Sequence, residues 1–208
     1  MAVYSVEDLC NQALRDIGYP TPIGNIQEGS PASRVALELY GQTRDEILRS
    51  RDWDFARQTV SMGVPLKTAP AGGYGAGGWN NTYPPIPWIL EYGYPAGCLE
   101  VLTLLPAPIF LPELLPRVVL WEKYNDPTLN NGAGLPTIVT NLFGAQATIT
   151  AQVYDPSQWK DPGFITALVD ALAQKFLRPL MGEGDPNVEA QAMQVAGAAA
   201  ITGPGRQG

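Results

Sequence analysis

Histidine is missing altogether from this chain of 208 residues. Its absence excludes Ser-His and Cys-His nucleophile activation and the HExxH zinc motif, because each needs an imidazole. Cysteine is scarce as well. Cys10 and Cys98 cannot complete the four ligands of a structural zinc site without imidazole, and in a reducing compartment both stay free thiols, most simply buried ones. Positive charge is in deficit: 13 Lys plus Arg stand against 20 Asp plus Glu, a net charge of -7. The basic footprint of a nucleic-acid binder is therefore lacking. No stretch approaches the roughly 20 apolar residues of a membrane helix, and no basic segment followed by an apolar run opens the chain. The expectation is a soluble protein, neither secreted nor membrane-bound.

What the chain has in quantity is turn formers, 22 Gly and 20 Pro, above average usage but below the level that marks low complexity. Its length suffices for a real core without a disulfide or metal staple. Residues 1–57 hold nine acidic and six basic side chains and residues 58–143 only five and three, which sets a boundary near Arg57. In the first part Ser5 precedes Val6, Leu9, Cys10, Ala13, Leu14 and Ile17 at spacings of three and four, and Gly18 stands where a helix C-cap belongs. Ser30 and Pro31 open a second helix through Ala32, Val35, Ala36, Leu39, Tyr40, Thr43 and Ile47 to about Ser50. Its other face carries Arg34, Glu38, Arg44, Asp45, Glu46 and Arg49. Mixed signs there suit a solvated face or a polar contact with a neighbouring copy.

Between Gln58 and Tyr154 the pattern changes to short β-rich runs: Thr59 to Leu66, Ile86 to Tyr94, Leu99 to Leu105, Arg117 to Tyr124, Thr137 to Phe143 and Ala147 to Val153. These predict a small sheet or barrel. Asp161 and Pro162 then start a third helix whose stripe of Ile165, Leu168, Val169, Leu172, Phe176 and Leu180 is expected to pack on the first two. Pro179 should kink or end it, with Gly182 and Gly184 completing the break. Val188 to Ile201 is Ala-rich and helix-prone but has little apolar surface to hold it down. Thr202 to Gly208 reads as an extended tail. The fold class is α+β, with the N-terminal helices and the C-terminal helix forming one helical body. The expected divisions are 1–57, 58–155, 156–184 and 185–208.

Three patterns carry possible chemistry. Gly73-Tyr74-Gly75-Ala76-Gly77-Gly78 spells G-x-G-x-x-G, with Glu91 or Glu100 near the place of the ribose acid. Trp79-Asn80-Asn81-Thr82-Tyr83-Pro84-Pro85 follows, however, and cannot supply the helix that would face pyrophosphate, so no cofactor is expected. The alternative is a loop tipped by Tyr74, Trp79 and Tyr83, lying on its own sheet or reaching another chain. Carboxylate pairs for glycoside hydrolysis, Asp52 with Asp54 or Asp155 with Asp161, rest on spacing alone; residues two apart on a helix do not face each other. Trp53 and Phe55 close the second helix, and burying two aromatic rings of about 150 to 250 Å² each would anchor the helices to the sheet. No catalytic, cofactor-binding or metal-ligating residue is assigned.

Taken in order, Ala13-Leu14, Asp16-Ile17-Gly18, Pro22-Ile23, Glu28-Gly29, a long helix and Trp53-Asp54-Phe55-Ala56 resemble the tail tubular protein A family, the head-to-tail adaptors of short-tailed bacteriophages. The likeness is best over Val6 to Arg57, moderate over Pro156 to Met181, and poor between. It implies a non-enzymatic virion protein, assembled in the host cytoplasm and located in the tail at the head-tail junction. The family forms a dodecameric ring beneath the portal and above the tail nozzle, a tail tubular protein B-like partner, with tail fibres nearby. The ring continues the channel for genome retention and DNA ejection, and DNA passes without specific binding. An acidic chain suits such transit, because a basic lining would hold phosphate by counterion release. Ring contacts then fall to Arg34, Glu38, Arg44, Asp45 and Arg49, and portal docking to residues 185–208 through Val188, Met193, Val195 and Ile201. The helices are expected on the portal side and the β-rich segment toward the nozzle. Alternatives are a head-completion connector of a long-tailed phage, a virion-carried peptidoglycan hydrolase using a carboxylate pair, or a cytosolic module whose glycine loop grips a small ligand.

Overall fold

The computed structural model describes residues 4–74, 78–106 and 119–182. Its first helix, α1 (Val6–Asp16), begins at Ser5. The Ser5 hydroxyl accepts the Asp8 N–H at 3.1 Å, and the Asp8 carboxylate accepts the Ser5 N–H at 2.9 Å, so two orphan donors of the first turn are satisfied reciprocally. At the other end Tyr19 N–H reaches Leu14 O and Gly18 N–H reaches Arg15 O, both at 2.9 Å. This pair of hydrogen bonds closes the helix only with a left-handed residue after the cap, and Gly18 supplies it at φ +74°. The connector to the next helix is equally well tied. Asn11 exchanges two hydrogen bonds with the Ile23 backbone at 2.8 and 2.7 Å, while Glu28 accepts the N–H groups of Gly24 and Asn25 and the Ser30 hydroxyl.

Helix α2 (Pro31–Ser50) is capped by Ser30 with Pro31 in its first turn, and α3 (Pro162–Met181) by Asp161 with Pro162. Both starts match the sequence expectation. Helix α3 packs on α1 and on α2, so the three apolar faces share one core of Leu9, Cys10, Leu14, Ala36, Leu48, Leu168, Leu172 and Phe176. The buried stripe of α3 begins at Phe164 rather than Ile165. A pocket of rings draws Phe164 inward: its centroid lies 5.3 Å from Trp53, 5.1 Å from Phe55 and 5.0 Å from Trp159, all edge-on. Pro179 sits inside the last turn, and the helix ends two residues later at Met181 before Gly182.

The middle of the chain forms two antiparallel sheets, not a closed barrel. One has the order β1 (Arg57–Ser61), β7 (Gln146–Ala151), β4 (Cys98–Leu105). The other has the order β2 (Lys67–Thr68), β3 (Leu90–Gly93), β6 (Leu135–Thr140), β5 (Trp121–Asp126). Their facing residues share a core of Leu90, Tyr92 and Ile138 from the four-stranded sheet with Val101, Leu104, Ala147 and Ile149 from the three-stranded one. The run expected from Thr59 to Leu66 stops at Ser61, where Gly63 turns the chain at φ +70°, and the two-residue strand Lys67–Thr68 follows. Prolines 85 and 87 shorten the run expected from Ile86 to the four residues Leu90–Gly93.

Chain contacts divide the protein into a helical unit and a β unit, the boundaries falling between Phe55 and Ala56 and between Ala151 and Gln152. Entry to and exit from the β unit are bonded to each other, Ala151 N–H donating to Ala56 O at 2.8 Å. No helix among the described residues is long and apolar enough to cross a membrane. Phe164→Ala is expected to cost about 3–5 kcal/mol, since it empties a site lined by three rings, and Phe164→Leu clearly less. Urea unfolding of the two variants checks this; equal losses would mean that ring contact, not volume, sets the cost.

Candidate functional site

Helix α2 carries the charged residues expected at a ring interface, and the structure sorts them into two groups. Arg44 and Asp45 turn toward their own chain. Arg44 Nε and Nη2 both donate to Asp45 Oδ1, at 2.9 and 2.7 Å. Its guanidinium lies 4.5 Å from the Tyr154 ring centroid, and Gln152 Nε2 donates to Asp45 Oδ2 at 2.6 Å. Arg44 is only 6 % exposed; these two residues fasten α2 to the segment after β7, and a neighbouring copy would find them already engaged. Glu46 is engaged as well, accepting from Gln42 at 2.9 Å and Lys175 at 2.5 Å. The Lys175 ammonium accordingly holds its carboxyl below the usual range.

Arg34, Glu38 and Arg49 are exposed. Between them the sequence reading missed Leu37, an apolar side chain 58 % exposed at helical spacing from Arg34 and Gly41. Gly41 has no atom within 4 Å of where a Cβ would sit. A helix-interior glycine costs about 1 kcal/mol relative to alanine, and no contact among the described residues accounts for this one. The exposed face is thus apolar at Leu37, flat beside it at half-buried Gly41, and flanked by charges of both signs.

The remaining sequence candidates take other roles. Trp53 and Phe55 grip Phe164 of α3, where a hold on the sheet was expected, and the Trp53 indole donates to Ile47 O at 2.8 Å. Asp155 and Asp161 are caps, accepting the N–H of Ser157 and of Gly163, each at 2.8 Å. The Ser157 amide and hydroxyl hold the Asp155 carboxyl below its ordinary value, opposite to the shift a general acid needs. Asp52 and Asp54 lie exposed on either side of buried Trp53. Cys10 is buried and Cys98 half-buried; burial pushes the Cys10 thiol up to about 12, so it is inert. Among the described residues no group of three or more Cys, Asp and Glu could hold a metal. Val188, Met193, Val195 and Ile201 lie outside the described residues.

No helix follows the glycines. Residues 78–85 form turns in which Tyr83 meets Tyr74 edge-on at 5.6 Å and the Trp79 indole donates to Pro84 O at 2.6 Å. Asn80 Oδ1 accepts the Thr82 N–H at 2.9 Å, an Asx turn that presents the Asn81 carbonyl. That carbonyl is taken by Lys67 Nζ at 2.8 Å. This contact ties the turn onto the four-stranded sheet, on the face opposite its apolar core.

Beneath the turn lies a cluster that the sequence reading did not find. Lys67 stands across from Glu91 in the β2–β3 pair, and its ammonium also meets Thr128 Oγ1 at 3.0 Å, Asp126 Oδ2 at 2.5 Å and Glu91 Oε2 at 3.9 Å. Glu91 is 0 % and Asp126 1 % exposed. Burial pushes the Glu91 carboxyl up, and the neighbouring Asp126 charge adds to the rise. Lys67 and the Thr128 amide and hydroxyl hold Asp126 below its ordinary value despite burial. One signal was available: Glu91 is the lone charge in the apolar run Ile86 to Tyr94, and a carboxylate there needs a partner.

No protein-family model matches the chain, and no curated protein matches it. Lys67→Ala is expected to destabilise the β unit by about 3–5 kcal/mol, because it leaves Asp126 buried without its cation. Chemical unfolding measures this; a loss no larger than for a surface ion pair would show that the cluster admits water.

Proposed function

We propose that this chain is a structural head-to-tail adaptor of a phage virion, a ring-forming subunit between portal and tail nozzle. One observation carries the reading. The two stretches that resemble the adaptor family, 6–57 and 156–181, are far apart in sequence, yet they supply α1, α2 and α3 of one helical unit. The stretch without resemblance is the separately compact β unit. A chance likeness of short motifs has no reason to coincide with a unit built from both ends of the chain.

The exposed face of α2 supports the same reading. A ring needs a heterologous, head-to-tail contact between two different patches, and Arg34, Leu37, Glu38, Gly41 and Arg49 offer one of the two, an apolar centre with charges of both signs. An acidic chain suits a channel that lets DNA pass without holding it. The role is non-enzymatic, and residues 185–208 are the segment proposed to dock on the portal.

Mass photometry of the purified protein, alone and with the portal protein of the same genome, tests this. The expected result is portal plus a dodecameric ring. Removal of residues 185–208 should abolish that complex while leaving the helical circular dichroism of the remainder. Leu37→Asp should weaken ring formation by at least about tenfold without loss of stability, as expected for an apolar residue at the centre of an interface. A protein that stays monomeric beside its portal overturns the reading. Turbidity loss on cell walls, abolished by Asp155→Asn or Asp52→Asn, would establish the hydrolase instead.

A further inference from the structure

The cluster beneath the Asn80 turn has no part in the adaptor reading, and its hydrogen bonding is incomplete in a specific way. Both carboxyl oxygens of Glu91 and Oδ2 of Asp126 are buried and receive no well-directed hydrogen bond. The obvious donors are already used. Thr137 lies beside Glu91 on β6, but its hydroxyl donates to Tyr124 O at 3.2 Å. The Lys67 ammonium donates to Asn81 O and Thr128 Oγ1 and meets Asp126 Oδ2 as an ion pair at 2.5 Å; at 3.9 Å from Glu91 it is beyond hydrogen-bond reach. Two ionised carboxylates would thus lie together out of water beside a single cation. Such pairs do not both ionise readily.

A single proton on Glu91 relieves two of these three orphaned oxygens. With Glu91 neutral, its O–H supplies the donor that Asp126 Oδ2 lacks, and Lys67 and Asp126 remain as one balanced ion pair. We infer that Glu91 and Asp126 form a binding site for one shared proton, and that this proton keeps Lys67, and through it the Asn80–Tyr83 turn, seated on the four-stranded sheet.

The groups facing Glu91 are Lys67 from β2, Thr137 from β6, and Asp126 at the end of β5; its charged neighbours are Asp126 and Lys67. They set the sign of the pH response. The folded chain holds the Glu91 proton more tightly than the unfolded chain does, so this contribution is complete below the ordinary glutamate value of 4.5. It is lost as pH rises through the higher folded value. Asp126 works in the opposite sense: its contribution is complete above 3.8 and is lost as pH falls through its lowered value. The turn is held best in mild acid between these limits. As Glu91 ionises, a second buried negative charge competes for Lys67, the bond to Asn81 weakens, and the turn bearing Trp79 and Tyr83 loosens.

The full-length protein, labelled with 13C at the glutamate carboxyls and with 5-fluorotryptophan at its five tryptophans, tests this by NMR titration. Glu91→Gln assigns the Glu91 signal and Trp79→Phe the Trp79 signal. Glu91 is expected to titrate above 4.5, and Trp79 to follow with the same midpoint. In Glu91→Gln, which keeps the shape and donor of the protonated acid, the Trp79 response should vanish. In Asp126→Asn the Glu91 midpoint should fall, because repulsion is removed and Lys67 is freed. An ordinary or lower Glu91 midpoint overturns the inference, as does a Trp79 response that persists in Glu91→Gln. Should either substituted protein fail to fold, the wild-type Glu91 signal, then assigned through its bonded neighbours, still decides.

Discussion

The helical unit depends on α3 returning to cover α1 and α2. An isolated helix shorter than roughly 12–15 residues is marginal in water, and α1 has 11. Its buried residues Leu9, Cys10, Ala13 and Leu14 gain most of their helical cover from α3, which arrives only after the whole β unit. Loop-closure entropy grows slowly with length, so the long detour costs little more than a short one. Phe164 is the centre of this closure, since it gathers Trp53 and Phe55 from after α2 and Trp159 from before α3 around one ring.

Charge is used in two ways in this acidic chain. On α2, Arg44, Asp45 and Glu46 are consumed by contacts within the helical unit, which leaves an exposed face defined as much by Leu37 and Gly41 as by its ions. In the β unit, Lys67, Asp126 and Glu91 are buried together. A buried ion pair adds little net stability over apolar packing but penalises any arrangement that separates its members. It therefore favours one placement of the Asn80 turn over others, which a sheet face covered only by Val and Leu would not.

The helices were legible because their signals are local. Ser5, Ser30 and Asp161 are caps followed by a 3.6-residue pattern, and tertiary packing agreed with each. The strands were legible as regions but not as boundaries, since prolines at 85 and 87 and positive-φ glycine at 63 trim runs whose composition is still β-like. Strand β2 left no trace: two residues, Lys and Thr, carry no alternation, and the strand exists through its pairing with Glu91. The buried cluster was hidden for the same reason, as it unites residues 67, 91 and 126 that only sheet register brings together. The inward turn of Arg44 was equally non-local, being set by Tyr154 and Gln152.

The hydrogen bond from Ala151 to Ala56 has a consequence for heredity. It places the beginning and end of the β unit one peptide-to-peptide contact apart, so a gene segment of almost any length can be spliced between them while the flanking chain keeps its spacing. An insert joined at those two points would leave the spacing of the flanking helical chain unchanged. A scaffold with such a junction can keep its own packing while the insert between its two ends changes.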